Sequence, residues 1–444
     1  MSGERRREGN SLASPPSAIA LLTFAVFVAS PIVTIVVLAH RFGLVTALLL
    51  GWVLGPIAAA LGAMLTLVWT TPFRNTATLS LRPHRPRKPA APAEPGPRLR
   101  ISVVTPAYNA KHYLVRSLPP LLDLLARGEV QEVILVDDGS ADDTAAWAEA
   151  AGARVIHSPE RRGPGGARNL GIAAATGDVF WFVDADVVVH ANAVDHIRKA
   201  FEDPQTAAVF GSYDDRPAGQ DFGSQYKNLV HHHYHQHANP EASTFWSGCG
   251  AVRTSAFNAV GGFDAETYTI PAMEDVDLGY RLRRAGGSIR LDREMLSTHL
   301  KVWSIPELVH TDIFRRAIPW SRIMLQQAEV VDDLNVGTLE RLRAACAGLT
   351  VLVIGAVILG WLSPWLLAPA LLTVVTGNWH LFRLFHRRNG VVFGLGGVAF
   401  HQLYYLYSSV AFVGCWIEAK IRRPTATGRA AAAPEGDRGL STVR

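Results

Sequence analysis

Asp178-Val-Phe-Trp-Phe-Val-Asp184-Ala-Asp186 is an apolar run that leads straight into two carboxylates one residue apart. In an extended chain residues i and i+2 share a side, so Asp184 and Asp186 are predicted to address one site just past a buried strand. Open α/β sheets bind ligands in the crevice outside the carboxyl ends of their strands. Hard oxygen donors suit Mg²⁺ or Mn²⁺ held together with substrate phosphates, because such ions usually keep only one or two protein carboxylates. A solvated Asp-rich turn would read the same in isolation, so the flanking chain has to decide.

Working outward, Ile101–Thr105 is a β-branched strand broken by Pro106, and a helical pattern starts near Lys111. Glu132-Val-Ile-Leu-Val-Asp137-Asp138-Gly139-Ser140 is a second buried strand that ends in acids, with a helix cap expected at Ser140 or Asp142. Strand, turn and helix in repetition predict a mostly parallel α/β sheet with a nucleotide site along its carboxyl edge. No Gly-x-Gly-x-x-Gly follows the first strand and no Gly-x-x-x-x-Gly-Lys-Ser/Thr occurs, which argues against dinucleotide dehydrogenases and P-loop enzymes. Arg161-Arg-Gly-Pro-Gly-Gly-Ala-Arg168-Asn-Leu-Gly171 joins a glycine loop to guanidinium groups at a helix start. That equipment suits a diphosphate, held by backbone N–H groups and a bidentate arginine.

The 444 residues are 49% hydrophobic and carry a formal charge of +5, more apolar than an ordinary soluble enzyme. Residues 18–39 and 43–69 are uncharged apolar runs, each long enough to span a bilayer, and basic residues flank the pair on both sides. The positive-inside rule then puts both flanks in the cytosol. Further apolar stretches at 344–362, 364–382 and 391–417 follow, the last with an unusually polar interior of His401, Gln402, Tyr404, Tyr405 and Tyr407. Such residues predict packing against protein or a bound headgroup. Basic clusters beside apolar runs read as contact with anionic lipid rather than nucleic acid, for which no binding motif is visible. Cys249, Cys346 and Cys415 are too widely spaced for a zinc site or disulfide framework.

Seven short motifs in order make the chain resemble the family 2 glycosyltransferases of GT-A fold. They are Val103-Val-Thr-Pro-Ala-Tyr-Asn109, Val136-Asp-Asp-Gly-Ser140, Gly166-Ala-Arg-Asn-Leu-Gly171, Asp184-Ala-Asp186, Trp246-Ser-Gly-Cys-Gly250, Gly261-Gly-Phe-Asp264 and Glu274-Asp-Val-Asp277. The resemblance implies an α/β, Rossmann-like nucleotide-sugar-binding domain, sugar transfer with inversion, and Mg²⁺ or Mn²⁺. It also implies that Thr105, Tyr108, Asp137 and Asp138 hold base and ribose, that Arg168 orients the donor, and that Asp184 and Asp186 serve ribose and metal. Trp246, Gly248, Asp277, Trp303 and Trp320 are expected on the acceptor side, and His299 at the metal or diphosphate. On this reading the chain divides into a cytosolic N-terminus (1–17), a transmembrane hairpin (18–69), a basic Pro-rich linker (70–99) and a catalytic domain (100–300). Interfacial helices (301–343), C-terminal membrane segments (344–417) and a polar, disordered tail (418–444) follow.

An acceptor hydroxyl needs a general base, and a carboxylate within hydrogen-bond reach is the usual solution. Asp275, at the start of a helix predicted over Glu274–Arg284, is the choice; Glu274 is expected to bind the acceptor or cap that helix. Helical neighbours one and two apart point to different faces, so Glu274 and Asp277 are not expected to share the substrate with Asp275. His231 and His235, four apart in the run His231–His237, form a possible chelating pair, although so dense a run more often makes a partly exposed polar surface. The expected partners are a nucleotide-sugar donor, a lipid or glycan acceptor and the membrane. The expected location is the plasma membrane, multi-pass, with the catalytic domain cytosolic. Two alternatives stand beside this: a processive polysaccharide synthase, for which the Gln-x-x-Arg-Trp spacing is missing around Trp320, and a catalytically silent subunit of a glycan-export complex.

Overall fold

A computed structural model describes residues 99–327 and 334–422. The predicted N-terminal segment, the hairpin over 18–69, nearly all of the linker and the tail beyond 422 lie outside the described residues. Strands alternate with helices through the central domain: β1 (Ile101–Ala107), α1 (Lys111–Ala126), β2 (Glu132–Asp137), α2 (Thr144–Ala150), β3 (Arg154–His157), α3 (Gly163–Ala173), β4 (Val179–Val183), β5 (Val187–Val189) and α4 (Ala193–Ala200). After them come β6 (Thr206–Tyr213), α5 (Phe222–His237), β7 (Cys249–Arg253), α6 (Thr254–Ala259), α7 (Glu274–Arg284) and β8 (Ser288–His299).

Every residue of β4 is buried, as its unbroken apolar run requires of a strand covered on both faces. The two-residue period then sorts side chains between two cores. Ile101, Val103, Val133, Leu135, Trp181 and Val183 meet α1 and α4 on one face, while Val104, Ile134, Val136, Phe180 and Phe182 meet α3, α6 and α7 on the other. Gly171 lets α3 lie directly on the sheet: a Cβ there would fall 2.6 Å from Val104 Cγ1 and 2.8 Å from Val136 Cγ2. Gly171→Ala should therefore cost about 1–3 kcal/mol through overpacking, read as a lowered thermal unfolding midpoint.

The sheet has the order β3-β2-β1-β4-β7-β6-β8-β5. It is mixed rather than mostly parallel. β1 is parallel to β2 and β4, β2 to β3, and β6 to β8, but β7 runs antiparallel between β4 and β6, and β5 runs antiparallel to β8. Strand direction is decided by where the connecting segment returns, which the local residue pattern does not encode. β8 also runs much further than its first four residues predict, and its end carries His299 opposite Val187, one residue past Asp186. The N-cap position of α2 is Asp143, one residue past the expected Asp142, whose Oδ1 nonetheless accepts from the Thr144 N–H at 3.1 Å.

Beyond the sheet, α8 (Ile305–His310), capped by Ser304, runs into a π-helical turn (Thr311–Ala317) and then α9 (Ile318–Gln327). The remaining helices are α10 (Thr338–Ile358), α11 (Leu367–Gly377) and α12 (Trp379–Arg422), the last broken at Gly390, where φ is 83°. Among the described residues, α10 is the one helix long and apolar enough to cross a membrane; Pro364–Gly377 and Trp379–Ile421 pass that test only as a pair bent by 74°. The stretch expected to span from 364 to 382 is thus interrupted at Asn378. Its α11 portion of 11 residues reaches roughly 16 Å at 1.5 Å per residue, against about 30 Å of hydrocarbon.

Helix α5 joins the two halves. Its His run is a partly exposed surface, as expected, open at His237 and turned inward at His233 and His235. His233 and His235 are buried, His235 Nδ1–H donates to the Gly211 carbonyl at 3.0 Å, and His231 lies against Tyr213 and Trp246. Burial holds His231, His233 and His235 well below the usual histidine range, so all three are neutral at pH 7. On its other side α5 meets α12, where Tyr226 OH and Tyr234 OH bracket His401 at 2.8 and 3.1 Å. Tyr405 OH donates to Glu340 at 2.6 Å and Tyr407 OH to Asp312 at 2.9 Å. The polar interior of the last apolar stretch therefore packs against protein.

Candidate functional site

The site lies where β4 ends. Asp184 and Asp186 occupy the turn between β4 and β5, and the two carboxylates are held by different partners. The Asp184 amide donates to the Gly248 carbonyl at 3.1 Å, and its carboxylate accepts from Arg168 Nη2 at 2.6 Å. The Asp186 carboxylate faces His299 Nε2 at 3.6 Å, and its carbonyl accepts from Leu300 N–H at 2.8 Å. Burial, only partly offset by the Arg168 charge, raises the Asp184 carboxyl above its usual range. Burial presses on Asp186 in the same direction, yet the His299 ring beside it and the Lys301 charge hold it below. Asp186 is thus the more firmly ionised of the pair, which suits a metal ligand.

Arg168, on α3, ties the two acidic motifs together. It is 3% exposed, and its Nη1 reaches Glu274 at 3.2 Å while Nη2 holds Asp184. Helix α7 begins at Glu274 and ends at Arg284, the bounds read from its sequence. Glu274 itself is buried, bound to Arg168 and to the Ala272 N–H at 3.0 Å, so it braces the site. Asp275 accepts from the Ser247 N–H at 3.2 Å and from the Val276 N–H at 2.8 Å. Burial and the adjacent Glu274 charge push its carboxyl up to about 6, against the pull of the Ser247 amide and Arg168. A carboxylate poised there is matched to base work near neutral pH.

The other expected residues fall into three settings. Along the β1–β2 edge, Thr105 is buried with no partner for its Oγ1, Tyr108 is 41% exposed, and the Arg161 guanidinium covers the Tyr108 ring at 3.8 Å. Asp137 accepts from the Ser140 N–H at 3.2 Å, and Asp138 takes the Arg162 and Gly163 N–H groups at 2.8 and 2.9 Å, fixing the start of α3. Past the acids, Trp246 meets Tyr213 edge-on at 4.8 Å, and Tyr213 stacks on His299 at 4.3 Å. Gly248 permits the Trp246 indole to fold back, because a Cβ there would lie 2.5 Å from Trp246 Cζ2.

Asp277, Trp303 and Trp320, all expected beside the acceptor, are otherwise engaged. Asp277 pairs with Arg281 at 2.8 Å, and Arg281 in turn holds the Val260 and Gly262 carbonyls. Trp303 is buried with Tyr226, Leu308 and Phe385. Trp320 packs on α7, with its Nε1–H toward Tyr280 OH at 3.4 Å. Sequence reasoning missed Ser247 and Tyr213. Ser247 sat inside the quoted Trp246–Gly250 motif as its one hydroxyl residue, whereas nothing local marked Tyr213.

The donors present fit a divalent ion completed by phosphate oxygens: one ionised carboxylate, Asp186, with the His299 nitrogen opposite it. Among the described residues no three His, Cys, Asp or Glu side chains converge to hold a metal by themselves. The His231–His235 pair accordingly lacks a third ligand of these types.

Residues 102–261 match the family model described as glycosyl transferase family 2. The chain is 32% identical over 222 residues to the pre-mycofactocin glycosyltransferase of Mycobacterium tuberculosis, an alignment covering 46% of this chain and 43% of that protein. It is 38% identical over 116 residues to the glucosyl-3-phosphoglycerate synthase of the same organism, covering 24% and 35%. The chain thus spans less than half the length of each of these relatives. A solved mannosyltransferase from Pyrobaculum calidifontis, in complex with GDP-Man and Mn²⁺, aligns over 89% of this chain and 98% of its own, with 17% identity and a TM-score of 0.44. The matched residues 102–261, which include the acid turn of β4 and the bracing arginine of α3, make this part of the chain a glycosyl transferase family 2 domain.

Proposed function

We propose that this chain transfers a sugar, with inversion, from a nucleotide-sugar donor to a lipid-linked or membrane-proximal acceptor on the cytosolic face of a membrane. The observation that carries the reading is the joining of the two acidic motifs at the sheet's carboxyl edge, with Asp275 held up to about 6 and oriented by Ser247. The nucleoside would lie along β1 and β2, against Tyr108 and over Thr105 and Asp137. Arg161 would yield its place on the Tyr108 ring to the base. Asp186 and His299 would hold a divalent ion, whose chemistry when bound is Lewis-acid stabilisation of the departing diphosphate. Arg168 keeps Asp184 and Glu274 in place and balances their charge. Asp275 accepts the proton of the acceptor hydroxyl as it attacks the anomeric carbon from the face opposite the diphosphate. Helix α10 and the apolar flanks support placement at a membrane, and cytosolic nucleotide sugars support the side.

The test is a screen of nucleotide sugars with detergent-purified protein, with and without chelator. Transfer or donor hydrolysis restored by Mn²⁺ or Mg²⁺ is the expected result; equal activity after chelation would remove the metal role of Asp186 and His299. Protonation of Asp275 also sets a pH profile. Its base form exists above about pH 6, so kcat/KM should fall tenfold per unit below that value and level off above it. An acid limb nearer pH 4, measured at saturating metal, would point to another base.

A further inference from the structure

The His299 ring lacks the hydrogen bond that ordinarily aligns a metal ligand of its kind. Histidines that hold a metal usually donate their other ring N–H to a carboxylate or carbonyl, which fixes the plane of the ring. Here the Asp186 carboxylate lies 3.6 Å from Nε2, longer than a hydrogen bond, and none to the imidazole is made among the described residues. Only the main chain is tied: the His299 carbonyl accepts from Ala218 N–H at 3.1 Å, and Leu300 N–H reaches the Asp186 carbonyl at 2.8 Å.

What lies on the ring is Tyr213. The two rings are 4.3 Å apart and 17° from parallel, and both residues are buried. Their approach follows from strand register. β6 runs parallel to β8 with Tyr213 opposite Ser297, and His299 stands two residues further along, on the same side of the strand as Ser297. The tyrosine is itself held in place. Its carbonyl accepts from His232 Nδ1–H at 2.7 Å, and the next amide, Asp214 N–H, donates to the Ser297 carbonyl at 2.7 Å. Its ring also meets Trp246 edge-on at 4.8 Å and His231 at 4.5 Å, so it cannot swing away from the imidazole without displacing them.

We infer that Tyr213 is a positioning residue, whose ring sets the plane of the His299 imidazole so that Nε2 stays turned toward a cation bound by Asp186. A stacked neighbour resists rotation of the imidazole about its Cβ–Cγ bond, the task that a hydrogen bond to Nδ1 performs in other metal sites. The inference rests on the metal role proposed for Asp186 and His299 and deepens it.

The experiment is calorimetric titration of Mn²⁺ into the full chain in detergent, at saturation with UDP or GDP, whichever the unaltered chain binds. Tyr213→Leu should weaken Mn²⁺ binding about tenfold, the lower end of the loss that follows removal of a metal ligand's support, while Tyr213→Phe, which keeps the ring, stays within about twofold. His299→Ala makes the test specific. If Tyr213 acts through that imidazole, adding Tyr213→Leu to His299→Ala should change Mn²⁺ affinity by less than about twofold, because the two losses are then one. The same tenfold loss in both backgrounds overturns the inference, as does a Tyr213→Leu chain that binds Mn²⁺ like the unaltered one. Tyr213→Met repeats the measurement should the leucine variant fail to fold. Misfolding of both, with Tyr213→Phe sound, leaves a purely structural role and also overturns it. A His299→Ala chain with undiminished Mn²⁺ affinity, or an unaltered chain that binds Mn²⁺ with neither nucleotide, would instead strike the proposed metal role itself, and the inference would fall with it.

Discussion

Asp275→Asn should lower sugar transfer by about 10²–10⁴ while nucleoside diphosphate and Mn²⁺ still bind, because only proton acceptance is lost. Asparagine is nearly isosteric, and its side-chain oxygen can still accept from the Ser247 and Val276 N–H groups, so α7 should keep its start. The loss should appear in kcat rather than in donor KM, and the acid limb near pH 6 should vanish from the residual rate. A radiolabelled transfer assay resolves the rate, and calorimetry the binding. Near wild-type transfer would end the assignment of Asp275 as base and move attention to Glu274, although that carboxylate is already bound to Arg168.

Arg168→Met should strongly destabilise the central domain. It leaves Glu274, 5% exposed, facing Asp184 and Asp275 with no cation between them. Breaking a buried ion pair from one side typically costs about 3–5 kcal/mol. Asp184 is 34% exposed at its side chain, so water screens its share and most of the cost falls on Glu274. For a domain of this size that corresponds to a drop of roughly 6–20 °C in thermal unfolding midpoint. Arg168→Lys should recover only part of it, because an ammonium is a point charge and cannot span both carboxylates as the guanidinium fork does. An unchanged midpoint in Arg168→Met would mean that the three acids relax by taking up protons or water.

The parts legible in the sequence were those fixed by local pattern. The acid-ended strands β2 and β4, the start of α1 at Lys111 and both ends of α7 follow from unbroken apolar runs and helical spacing. What stayed hidden was set by distant partners. β7 could not be read as antiparallel, because its direction depends on the return path through α5. His233 and His235 become interior only because neighbouring elements such as β6 close over them. The Arg168 fork joins residues 106 positions apart, Arg168 and Glu274, and one-dimensional spacing carries no trace of that bridge. The break at Asn378 was hidden inside an apolar run whose composition alone fits a continuous helix.

Helix α5, clasped between β6 and α12, carries one more implication. The catalytic edge is joined to the C-terminal helices by interlocked side chains such as Tyr226 and His401, and not by a slack tether. On the proposed reading, Asp275 therefore keeps a fixed distance from those helices, as a caliper keeps its setting. Acceptors would be sorted by reach as well as by chemistry: a hydroxyl carried on too short or too long a spacer never arrives at the carboxylate, however well the rest of the molecule is held.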